Sequence, residues 1–477
     1  MNPGTNPQVD PITATIDEAL RALASHGGDL LDEANRLGTI LWSPPRVVIA
    51  GRLKAGKSTL VNALVGQRIA ATAAGECTNA VSVFHNGQPA RAEVVGLDGQ
   101  RHRQPLEHGV LMELGRPVNE VAYVDRFLPS AAIQNITLID TPGIATLTVE
   151  NQQATQRALI DGYDQTRNAS VDADAAIFLF DSSPRTDERD FIAQLGFTPL
   201  NTIGVLARAD GFGEGALGAR DPLEHAQAYS RVLEGRIASL TKHVFPLSGL
   251  LAESARTGQV TEHLARLVSG LSSLPREDLI EELENDTPRH MTVEARDLAL
   301  DLLGEYGVLH GAGVAAQGAV ALNDWLQRCS GIQHLENAIY GQLLRFATYQ
   351  RANRMLRELD TLAYNHPSFN QIRHIRDTLA AQPAMAQVLL FNSYRGVLQN
   401  SSKSRLIPVL ESMLMGSTPQ EWLGLAPDAT ITTTLERGKY LLGELQQLGL
   451  VNLSAAEDDA RMHLIFTIQT IMRSLQH

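Results

Sequence analysis

The 477-residue chain has only two cysteines, Cys77 and Cys329. They are too few and too far apart for a disulfide framework or a zinc site, so both are expected to be free thiols in a reducing compartment. Lysine is also scarce, with five: Lys54, Lys57, Lys242, Lys403 and Lys439. The acidic side chains, 53, outnumber the 40 basic ones, for a formal net charge of −13. That balance lacks the field that draws a chain to nucleic acid, and no nucleic-acid partner is expected. No run of about 18 or more apolar residues occurs, which argues against a membrane-spanning helix. The nearest, 307–322, is broken by His310, Gln317 and several glycines and reads as a packed helix or helical hairpin. Residues 1–9 are polar and rich in Pro, Asn and Gly, unlike a signal peptide.

What is present begins with the lysines, two of which fall in one loop. The apolar, β-branched run 47–50 reads as a buried strand, 58–64 opens a helix, and between them the chain fits G-x-x-x-x-G-K-[ST] with Gly51, Gly56, Lys57 and Ser58 in the fixed places. Glycines let backbone N–H groups converge on phosphate oxygens, here from Gly51 through Lys54, Ala55 and Gly56 to Thr59, and the helix start adds positive potential. Lys57 would reach the β- and γ-phosphates and the Ser58 hydroxyl a Mg²⁺ ion.

Three further motifs narrow the ligand. Asp140-Thr141-Pro142-Gly143 follows the strand 136–139. Its carboxylate can hold Mg²⁺, and the Gly143 N–H can bind a γ-phosphate, a contact that exists only in the triphosphate state. Arg208-Ala209-Asp210 follows the strand 202–207. Asp210 would accept two hydrogen bonds from guanine N1 and N2, which adenine does not offer, with the Arg208 stem over the base. Ala207 stands where an Asn or Thr would add a supporting hydrogen bond. Ser248-Gly249 fits a short loop touching the guanine carbonyl. Thr78, twenty residues past Ser58, is the expected Mg²⁺-closing threonine, with Thr72 as the competitor. The ligand set is thus GTP or GDP with Mg²⁺.

The expected architecture has three parts. Residues 1–45 form a tail and an N-terminal neck helix. Residues 46–270 alternate short strands and helices as an α/β domain with a mostly parallel sheet. Residues 271–477 form an all-α helical bundle against which the N-terminal helix docks. Asn86-Gly87 reads as a hairpin turn joining strands 80–84 and 91–96. In the last helix Met462, Ile465, Ile468, Met472 and Leu475 read as the core stripe.

The run G-x-x-K-A-G-K-S-T-L-V-N-A-L, with D-T-P-G, R-A-D and P-L-S-G-L, resembles the bacterial dynamin-like GTPases, and within them the actinobacterial isoniazid-inducible, IniC-type group. The resemblance implies a P-loop GTPase head on a helical neck and trunk. It also implies head pairing, as a homodimer or with a second dynamin-like protein, and peripheral work at the cytoplasmic face of the plasma membrane. The alternative is a GTP-gated switch or scaffold that recruits partners without deforming lipid. Eukaryotic dynamins carry Gln-Ser where this chain has Leu53-Lys54. Leu53 cannot orient water. Lys54 either supplies charge during phosphoryl transfer or faces solvent. Membrane contact has two candidate stretches, 307–322 and 394–416, the second of which a bundle helix explains equally well.

Overall fold

The computed structural model describes residues 10–52, 54–69, 80–107, 110–141, 173–186, 188–189 and 195–476. They divide into two compact units: Pro44–Ala347, and the segment ending at Ser43 together with the chain from Thr348 onward.

The first unit is built on a sheet. In chain order its strands are β1 (Arg46–Gly51), β2 (Ser82–Asn86), β3 (Arg91–Gly96), β4 (Arg101–Gln104), β7 (Val121–Leu128), β8 (Thr137–Asp140), β9 (Ala175–Phe180), β10 (Thr202–Ala207) and β11 (Val244–Leu247). A separate short pair is β5 (Leu106–Glu107) with β6 (Val110–Leu111). Among the described residues the nine-stranded order is β11-β10-β9-β1-β8-β2-β7-β3-β4. The block from β11 to β8 is parallel throughout. Its strands carry buried apolar residues on both faces, as parallel sheets do. Val47 and Ile49 pack with Leu60 and Leu64 of the helix Lys57–Val65, and Val48 and Ala50 with Ile139 and Phe178 on the opposite face.

The expected hairpin does not form. β7 lies between β2 and β3. Gly87 N–H donates to the Leu128 carbonyl (2.9 Å), and the Asn86 side chain accepts from Ser130 N–H (3.2 Å). The Asn-Gly pair therefore caps the end of β7 instead of closing a two-strand turn.

The compact unit also runs past the expected limit at 270. The helices Val293–Ala315 and Ala319–Ser330 share a core with Leu251, Leu264 and Val268. Ile332, Leu335, Ile339 and Leu343 join the core on one face of the sheet. Most of stretch 307–322 is spent on that packing, with Val308, Ala312 and Leu322 buried, while Val320 is left 75% exposed.

In the second unit the N-terminal helices pack with the C-terminal ones, as expected. The helix Gly28–Trp42 runs antiparallel to the helix Leu344–Asn365. Arg351 Nη1 donates to the Leu41 carbonyl (3.1 Å), Arg36 pairs with Glu358 (2.7 Å), and His366 meets Asp29 (3.0 Å). Stretch 394–416 is bundle core: Tyr394, Leu406, Leu410, Met413 and Leu414 are buried. The last helix, Ala455–Ser474, is rotated from the expected stripe and buries Ala460, Leu464, Ile468 and Ile471 while Met462 is exposed. Its capping box, Ser454 with Glu457, fixes where the helix starts. Its rotation follows the helix Ala386–Asn400, against which Ser393 meets His463 (2.8 Å). Among the described residues no helix is long and apolar enough to cross a membrane.

Candidate functional site

The parallel block delivers the sequence-marked residues to one end of its strands. β1 ends at Gly51, where an added Cβ would lie 2.5 Å from the Leu179 carbonyl oxygen on β9, so only glycine fits. Gly56, at φ 91°, turns the chain into the helix Lys57–Val65. Lys57 is buried, 7% exposed, and its Nζ donates to the carbonyls of Gly51 (3.1 Å) and Arg52 (2.8 Å). Burial pulls its pKa below the usual lysine value, and the Asp140 carboxylate opposes that shift.

Asp140 ends β8, next to β1. The Ser58 hydroxyl bonds its carboxyl group, while Oδ1 is sealed from solvent without a protein partner. Desolvation pushes its pKa up to about 6, against the pull of Lys57 and Arg126. A buried, unpartnered carboxylate oxygen beside a hydroxyl at a helix start is a hard-oxygen donor set that fits Mg²⁺. The uncompensated charge carries a cost. In nucleotide-free, EDTA-treated protein, Asp140→Asn should raise stability at pH 7.5 by on the order of 2 kcal/mol. The sign follows from the proton balance. The unfolded carboxyl ionises near 3.8 and the folded one near 6, so native stability falls as pH rises between them. The advantage of Asn is therefore full above pH 6 and gone below about pH 4. Thermal unfolding at both pH values checks it; an unchanged Tm at pH 7.5 would show that the carboxylate is not desolvated.

The loop with Arg208-Ala209-Asp210 follows β10. Among the described residues Lys54 (φ 64°) and Arg208 (φ 55°) are the non-glycine positions with positive φ. They face one another: Arg208 Nη2 donates to the Lys54 carbonyl (2.8 Å). The arginine thus ties the loop after β10 to the phosphate loop. Asp210 follows in the turn Ala209–Gly211. Ser248 is buried and caps the helix Gly249–Arg256, and an added Cβ at Gly249 would meet Thr59 Cγ2 at 3.3 Å. Asn62 links this helix to the phosphate-loop helix by donating to Glu253 Oε1 (2.8 Å). Thr78, Thr72, Gly143 and Leu53 lie outside the described residues.

An open cavity of about 410 Å³ adjoins this end of the sheet. Arg52, Asp181, Arg185, Arg208 and Phe212 are among its lining residues. Arg52 pairs with Glu188 (2.7 Å). Sequence reasoning passed over Arg52, Asp181 and Arg185. Arg52 occupies a variable place in the loop motif, and Asp181 is marked only by ending an apolar strand.

A sequence profile of the dynamin family matches residues 47–209. Isoniazid-induced protein IniC of Mycobacterium tuberculosis is 31% identical over 361 residues, 71% of each chain. The chain belongs to the bacterial dynamin-like GTPases of the IniC type. An uncharacterised Caldicellulosiruptor protein is 22% identical to this dynamin-like chain over 235 residues, 46% of it and 52% of the relative. A solved bacterial dynamin pair, described as sensing and tethering membranes at long range, is 13% identical over the whole chain and 76% of its own, with a TM-score of 0.36.

Proposed function

We propose that this GTPase binds GTP with Mg²⁺ at the strand-end site and couples hydrolysis to pairing of its heads and binding of the cytoplasmic membrane. The observation that carries the nucleotide reading is the sealed Asp140 Oδ1 beside the Ser58 hydroxyl, at the start of the helix whose loop glycines admit phosphate. Ser58 and Asp140, with Thr78, would hold Mg²⁺, which would neutralise charge on the phosphate oxygens. Gly51, Ala55, Gly56 and Thr59 present backbone to the phosphates, and the Gly143 N–H closes on the γ-phosphate. Lys57 places its ammonium on the same oxygens. Asp210 reads the guanine edge, Arg208 covers the base while holding the loop, and Ser248-Gly249 meets the guanine carbonyl. Lys54 adds positive charge at the mouth of the loop.

Family membership supports the membrane reading. In the helical unit, large apolar side chains left to solvent include Tyr364 (86% exposed), Leu450 (87%) and Phe466 (65%). Lipid contact is expected at such positions rather than at 394–416. Purified protein should pellet with anionic liposomes, more with GTP than with GDP, and Leu450→Glu with Phe466→Glu should reduce pelleting about tenfold. No pelleting in any nucleotide state would remove the membrane reading and favour a GTP-gated scaffold.

A further inference from the structure

The helix Val293–Ala315 is interrupted inside. Gly304 sits at φ 65°, ψ 176°, a conformation open to glycine and strained for other residues. Such a break weakens a helix, so what gathers around it is informative. An added Cβ at Gly304 would lie 3.2 Å from Leu250 Cδ2 and 3.7 Å from Asp210 Oδ2. Just before the break the buried Ser254 hydroxyl donates to the Leu302 carbonyl. Just after it the Tyr306 hydroxyl donates to Asp221 Oδ2 (3.2 Å). Asp221 Oδ1 accepts from Leu223 and Glu224 N–H at the start of the helix Pro222–Arg236. The broken helix is therefore fastened on both sides of the break, to the helix that follows the Ser248–Leu251 turn and to the end of the loop that follows Asp210, and its glycine passes beside the Asp210 carboxylate. At position 207 Ala has no side-chain donor or acceptor to hold this loop.

We propose that Gly304 is a positioning residue for base recognition. Its break lets the Asp210 carboxylate and the Ser248-Gly249-Leu250 turn settle at the spacing that the guanine edge requires. The inference rests on Asp210 being the guanine acceptor, and its test separates the two. Affinities for GDP, IDP (which lacks the 2-amino group), XDP and ADP are measured with Mg²⁺ on the full chain, for Gly304→Ala, Ser254→Ala and Asp210→Asn. Gly304→Ala should lower GDP affinity about tenfold and collapse the GDP-over-IDP preference, while ADP, held by its phosphates, stays within about twofold. A folded Gly304→Ala chain with an unchanged GDP-over-IDP ratio overturns the proposal. If circular dichroism shows that this variant does not fold, Ser254→Ala decides, because it loosens the clasp without straining the backbone: a fallen ratio supports the proposal and an unchanged one overturns it. If Asp210→Asn leaves the preference for GDP over both IDP and XDP untouched, the base reading itself fails and the inference with it.

Discussion

Lys57→Ala is expected to lower GTP turnover by at least about a hundred- to a thousandfold, the loss that follows removal of one preorganised donor from a developing oxyanion. The ammonium is already seated. It is buried and held by the Gly51 and Arg52 carbonyls, so little reorganisation is needed when phosphate arrives. Desolvation strengthens its field while lowering its pKa, and the Asp140 carboxylate opposes that fall. Lys57→Arg should not rescue, because a planar guanidinium cannot occupy the place of a compact ammonium inside a glycine loop. Lys57→Ala also takes a cation from beside the buried Asp140 carboxylate, so its fold is checked alongside its turnover. Single-turnover phosphate release with matched circular dichroism measures this; turnover within about threefold of the parent would exclude Lys57 from the reaction. Lys54→Ala is the informative contrast. The structure gives its carbonyl to Arg208, and the side chain is exposed. If that side chain supplies charge, turnover falls with nucleotide affinity unchanged and potassium partly restores it; unaltered turnover removes the role.

How far the chain could be read in advance depended on the range of the forces involved. The phosphate loop was legible because its demands are local: Gly51 must clear the Leu179 carbonyl, and Gly56 must adopt positive φ. The parallel strands were legible as short apolar runs. The order of β2, β7 and β3 was not, because strand neighbours are chosen at long range and Asn86-Gly87 serves equally to cap β7. The last helix carries apolar residues around much of its circumference, so only its partner helices decide that Leu464 turns inward and Met462 outward. Helical texture beyond 275 says nothing about which neighbour it buries against. The helices through Leu343 pack within the sheet unit, and only the chain from Thr348 joins the N-terminal pair. Asp140, Arg208 and Asp210 stand out in the sequence by motif. The contacts that seat them, such as the Lys54 carbonyl and the break at Gly304, join residues far apart in sequence and have no spacing to read.

Asp210→Asn should exchange the base preference, lowering GDP affinity about a hundredfold and raising XDP affinity by a comparable factor. The argument is one of donors and acceptors. Guanine presents two N–H groups on its N1 and N2 edge, which a carboxylate accepts together. Asparagine offers one acceptor and one donor, so its NH₂ group confronts the guanine 2-amino group and one hydrogen bond becomes a clash of donors. Xanthine carries a carbonyl at that place and matches the amide. The substitution is close to isosteric, and the Arg208 bond to the Lys54 carbonyl, which ties down the turn, does not depend on the carboxylate charge. The variant should therefore keep its fold and its phosphate contacts. Supplied with XTP it should hydrolyse at a rate within about tenfold of the parent on GTP, because the reacting phosphate lies in the glycine loop and not at the base. Competition of GDP and XDP against a fluorescent nucleotide, followed by phosphate release from XTP, tests both halves. Retained GDP preference would mean that the guanine edge is read elsewhere, with the arginine-lined cavity beside Arg52 and Arg185 the next place to look.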